Sequence, residues 1–102
     1  MEPCNIDDAD EDFAVLQTTE TAQTAVMDLK PGDDSGEFGN EHPQSEQILF
    51  VVSGELLAEI GEERRRLFQG DVVVVPRNTA HRFTNVGDTE ARTLNVYVPP
   101  AY

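Results

Sequence analysis

The stretch Gly70-Asp71-Val72-Val73-Val74-Val75-Pro76-Arg77-Asn78-Thr79-Ala80-His81-Arg82-Phe83-Thr84-Asn85 decides the fold class. Gly70-Asp71 is a turn pair, and four β-branched residues follow. That run is too short for a helix. Pro76-Arg77-Asn78 ends it, and His81 opens a second short run. Val72 to Val75 is apolar on both faces, so the reading predicts cover on both sides: the inside of a barrel on one, a second sheet or a second subunit on the other. Working outward, the same punctuation recurs at Pro31-Gly32-Asp33-Asp34, Gly39-Asn40, Ser53-Gly54, Gly61 and Gly87-Asp88. Strands are expected near 13–18, 24–29, 47–52, 55–60, 64–68, 72–75, 81–85 and 93–98. No window sustains a helical period. Eight short strands at this spacing predict an all-β chain, an antiparallel double-sheet sandwich or barrel.

The chain has 102 residues, which suits one domain. A chain this short buries only ~65% of its unfolded surface, so its core is small. Twenty acids against seven bases give a net charge of −13, and Lys30 is the sole lysine. Such a surface repels nucleic acid phosphate and anionic lipid, so neither nucleic acid nor membrane is expected as a partner. It is also the surface a high-salt cytoplasm would select. Six of the acids fall in Met1–Asp12, which reads as a flexible acidic arm ahead of a single domain over 13–102. The arm lacks the basic region and apolar run of a secretory leader. One cysteine, Cys4, excludes an internal disulfide and fits a cytoplasmic location.

Chemistry has few carriers. The only histidines are His42 and His81. Asn40 and His42 are two apart, so an extended backbone points both to one face. Gln47 begins the next strand and His81 a later one. In a closed barrel these four side chains converge inside. Imidazole nitrogen and amide oxygen are both competent ligands for a divalent metal. A polar level above an apolar floor also makes a small-molecule pocket.

The two segments together resemble the cupin family. Its second motif places a glycine, five residues, proline, one residue, glycine, two residues, histidine, three residues and asparagine. Gly70, Pro76, His81 and Asn85 match in order, with Asn78 at the inner glycine position. Asparagine also accepts left-handed backbone. The first motif, His-x-His then glutamate then glycine, appears as Asn40-x-His42, Gln47 and Gly54. Asn40 replaces a histidine and Gln47 replaces the glutamate. The resemblance covers roughly Met27 to Pro99.

It implies a jelly-roll β-barrel with His42, Gln47, His81 and Asn40 around a divalent transition metal (iron, manganese, zinc, nickel or copper) or around none. Two imidazoles and two neutral amides leave the ion's charge unbalanced, which weakens binding. Glu46 would restore a carboxylate if it faced inward instead of Gln47. Strand alternation admits only one of them, and the spacing to Gly54 favours Gln47. By resemblance the activity is a metal-dependent dioxygenase, isomerase or decarboxylase. The alternative is a non-catalytic cupin that binds a small metabolite, a sugar or an aromatic acid. A homodimer is expected from the two-faced apolar strand and the small core. Asn78 and Asn85 read as structural, Phe50, Phe83 and Tyr97 as core or interface. Neither Glu41 nor Glu46 has a clear inward assignment.

Overall fold

A computed structural model describes residues 1–102. Eight strands follow a short 3-10 turn at Ile6–Asp8: β1 Phe13–Thr18, β2 Gln23–Leu29, β3 Glu46–Ser53, β4 Glu55–Ile60, β5 Glu63–Phe68, β6 Val72–Val75, β7 His81–Asn85 and β8 Ala91–Val98. They form two antiparallel sheets, one of five strands in the order β1-β2-β8-β3-β6 and one of three in the order β5-β4-β7. The expected all-β double-sheet architecture is what the chain adopts. Alternation decides what lies between the sheets. Leu49 and Val51 of β3, Leu56 and Ala58 of β4, Phe83 of β7 and Val75 of β6 are buried and share one core with Met27 and Leu29 of β2.

Two turns show why particular residues are needed. Asn78 sits at φ 55°, the left-handed conformation anticipated for that position. Gly54, between β3 and β4, has φ 83°, and a Cβ there would lie 2.7 Å from Ala91 Cα. Only glycine permits that close approach of the hairpin to the start of β8.

Val72 to Val75 is covered on one face only. Val75 is buried, whereas Val72 and Val74 are 56% and 51% exposed. Ile48 lies opposite Val74, and Phe50 lies opposite both Val72 and Leu94. An apolar stripe therefore crosses the outer face of the larger sheet, and no second sheet lies over it. The acidic arm, read as flexible, runs beside the larger sheet in this structure. Asp7 pairs with Arg92 at 2.8 Å, and the Gln17 side chain donates to the Glu2 carbonyl.

The link between β2 and β3 positions the site. It lies along the free edge of β7. Asp34 bridges Thr84, and Gly39 bridges His81. The Ser35 amide donates to the Phe83 carbonyl at 2.8 Å, and the His81 amide donates to the Gly39 carbonyl at 3.0 Å. The loop thus continues the smaller sheet and delivers Glu41 and His42 next to His81.

Candidate functional site

The structure brings three of the four expected residues together. The His42 and His81 rings lie 4.6 Å apart between centroids. His42 Nε2 is 3.0 Å from Gln47 Oε1. All three side chains are buried and border one cavity of about 480 Å³, within the range of small-molecule sites. Gln47, not Glu46, faces inward; Glu46 is exposed.

Asn40 is not among them. It is exposed, and its Nδ2 donates to Asn78 Oδ1 at 2.7 Å. The shared face expected for Asn40 and His42 requires an extended backbone. Here the chain bends at Glu41, so the alternation fails. Asn40 instead ties the loop to the turn after β6, where the Asn78 amide also donates to the Pro43 carbonyl at 3.0 Å.

A buried relay sets the protons. The Thr93 hydroxyl has one proton and gives it to the Met27 carbonyl at 3.0 Å. It therefore accepts from Asn95 Nδ2, also at 3.0 Å. That turns Asn95 Oδ1 toward Gln47 Nε2 at 2.8 Å. Gln47 Oε1 is left to accept from His42. Neutral His42 thus carries its proton on Nε2. His81 is fixed the other way. Its Nδ1 donates to the Thr79 carbonyl at 2.9 Å, so Nε2 is an unpartnered acceptor. No polar side-chain atom is sealed away without a partner, so this nitrogen opens onto the cavity. Burial holds the His81 pKa below the ordinary histidine range, outweighing the Thr79 carbonyl.

Other residues of the cavity were not singled out from the sequence. Glu41 lies beside His81 and the two tyrosines. Its carboxylate occupies the space that a Cβ at Gly36 would take. Tyr97 and Tyr102 pack edge to face at 5.1 Å, and Phe13 meets Tyr102 at 4.9 Å. Burial pushes both phenols above the ordinary tyrosine range. Buried Gln23 holds Tyr102 in place. Its Oε1 accepts from the amides of Ala101 and Tyr102, and its Nε2 donates to the Tyr102 carbonyl. The inward parity of Tyr97 was a readable signal; nothing in the sequence marked Tyr102.

A divalent metal requires ligands whose free lone pairs converge on a single point. His81 suits one, because a ligating histidine commonly donates its other nitrogen to a carbonyl. His42 has its Nε2 proton on Gln47, so only its Nδ1 would be free to ligate, and Gln47 Oε1 is already engaged by that proton. No three His, Cys, Asp or Glu side chains cluster as a metal site would need. The donor set does not fit a resident metal.

Comparison with known proteins agrees with the fold. The family described as Cupin domain matches residues 25–97, and the chain belongs to it. Protein SchB of Streptomyces halstedii is 31% identical over 85 residues, covering 79% of this chain and 60% of that protein. Polyketide synthase CurC of Streptomyces cyaneus is 38% identical over 66 residues, covering 65% of this chain and 42% of that protein. The chain therefore spans less than two thirds of either relative. The crystal structure of BH2720 from Bacillus halodurans superposes with a TM-score of 0.85 at 24% identity, over 94% of this chain and 76% of that one. At that identity the likeness concerns the fold. No helix is long and apolar enough to cross a membrane.

Proposed function

We propose that this cupin holds a small organic molecule directly against His81, without a resident metal. The observation that carries the reading is the pair of fixed tautomers. His42 has spent its Nε2 proton on Gln47, while His81 offers an unpartnered Nε2 to a cavity of about 480 Å³. His42, Gln47 and His81 are joined by no carboxylate in a three-ligand cluster, although carboxylates line the cavity. A catalytic form of the reading, a metal-free isomerase, would use the same His81 nitrogen as proton acceptor.

The test is elemental analysis of untagged protein, with thermal shifts in manganese, iron(II), zinc and nickel. Substoichiometric metal and unchanged melting are expected, because only a ligand of the folded state raises stability. Stoichiometric metal, lost together with the shift in His42→Ala and His81→Ala, would overturn the reading and restore the metal-dependent one.

The working unit is a cytoplasmic homodimer joined through the apolar stripe of Val72, Val74, Ile48 and Phe50. Support comes from its exposure and from the small core. Light scattering should give twice the chain mass of 11.3 kDa, and Val74→Asp should return the single-chain mass. A clean monomer of the unaltered protein at micromolar concentration removes the dimer.

A further inference from the structure

The cavity's charge and hydrogen-bonding capacity bear on the chemistry of its ligand. Five carboxylates border it: Asp12, Asp28, Asp33, Asp34 and Glu41. No lysine or arginine does. Only Asp28 has an ion-pair partner, Arg92 at 2.9 Å. Hydroxyls and the second Gln47 amide proton apart, the polar side-chain atoms left free are acceptors. One Gln47 amide proton goes to Asn95, and the His42 Nε2 proton goes to Gln47. His81, 8% exposed, presents its bare Nε2. Phe13, Tyr97 and Tyr102 add an aromatic part to the lining. Aromatic faces attract cations, and a wall of carboxylates repels anions.

We propose that the cavity selects a small organic cation, a protonated amine whose N–H groups meet Glu41 and His81 Nε2 while its apolar body lies against Phe13, Tyr97 and Tyr102. This rests on the small-molecule reading of the same cavity and narrows it. A hydrogen-rich cation supplies every donor that the lining lacks. A carboxylate or phosphate ligand would meet no cation and five carboxylates. The aromatic acid is disfavoured on that ground, and a neutral sugar can hydrogen-bond the carboxylates but leaves their charge unbalanced. Glu41 becomes the residue that sets specificity, with Gly36 leaving room for its side chain.

The test uses three probes of one shape and three charges: benzylammonium, benzyl alcohol and benzoate. Binding to the full chain is read by calorimetry and by tyrosine fluorescence, since the chain has two tyrosines and no tryptophan. Benzylammonium should bind about tenfold more tightly than benzyl alcohol, with benzoate weakest. Glu41→Gln should remove about tenfold from the cation and leave the alcohol unchanged. Glu20→Gln, an exposed acid in the β1–β2 turn, should change neither. Equal losses in both variants would mean that general surface charge is being read, and the proposal falls. If the alcohol or benzoate matches the cation, the ligand class is wrong but the small-molecule reading stands. If no probe binds and the His81 ring resonances do not move, both fall together.

Discussion

Breaking the Gln47–Asn95 link from both sides at once should cost less than the two separate breaks add up to. Gln47→Met keeps the side chain's length and removes both of its hydrogen bonds. It leaves Asn95 Oδ1 without its donor, in a residue that is 0% exposed. An unsatisfied buried polar atom costs ~1–3 kcal/mol, so about 2 kcal/mol is expected. The His42 proton borders the cavity and reaches water, which adds little. Asn95→Leu strands Gln47 Nε2 instead and should cost about the same. Thr93 keeps its bond to Met27 in both variants. The double variant strands neither amide, so its loss should fall short of the sum by ~1–2 kcal/mol. Urea unfolding followed by far-UV circular dichroism measures all four corners of the cycle. Each single variant should melt roughly 8–16 °C lower. Additive losses would show that the two amides are independent and that the relay does not set the His42 proton. Imidazole nitrogen resonances give a second reading: His42 should hold one tautomer in the parent and a mixture in Gln47→Met.

Gly54→Ala should destabilise by at least ~2 kcal/mol in the same urea experiment, because it combines left-handed backbone with a 2.7 Å approach to Ala91 Cα. Gln47→Glu should raise zinc affinity, measured by calorimetry, because it supplies the charged ligand that the parent lacks. The tyrosinate absorbance step should lie above pH 10 in the folded protein and drop to about 10 on unfolding. Both phenols bind their protons more tightly when folded, so their stability contribution is complete below pH 10 and declines as pH rises beyond it. A folded-state step at the ordinary value would mean that the two rings are solvated.

The strands were legible because turn residues bracket short β-branched runs, and the observed ends agree with the expected ones within two residues. Gln47 was legible because the spacing to Gly54 fixes its parity. Asn40 was misplaced because parity applies only to extended chain, and the bend at Glu41 comes from loop contacts with β7 that no local pattern announces. Glu41 was left unassigned for the same reason. Tyr102 was not seen because its position depends on Gln23, far away in sequence and joined only by folding. The outer stripe was half legible: four valines in a row predicted two covered faces, and one remains open in the single chain.

The segment that carries Glu41 and His42 clings to β7 through bridges at Asp34 and Gly39, with Ser35 fastened between them. Its release would break these bridges, the Asn40–Asn78 and Asn78–Pro43 bonds and the His42–Gln47 bond while leaving the eight strands paired, an opening smaller than global unfolding. Unzipping would carry half of the pocket off the other half. The exchange rates of the Ser35 and Gly39 amides therefore gauge how often the pocket exists in assembled form, and an occupant touching both halves would slow them in step.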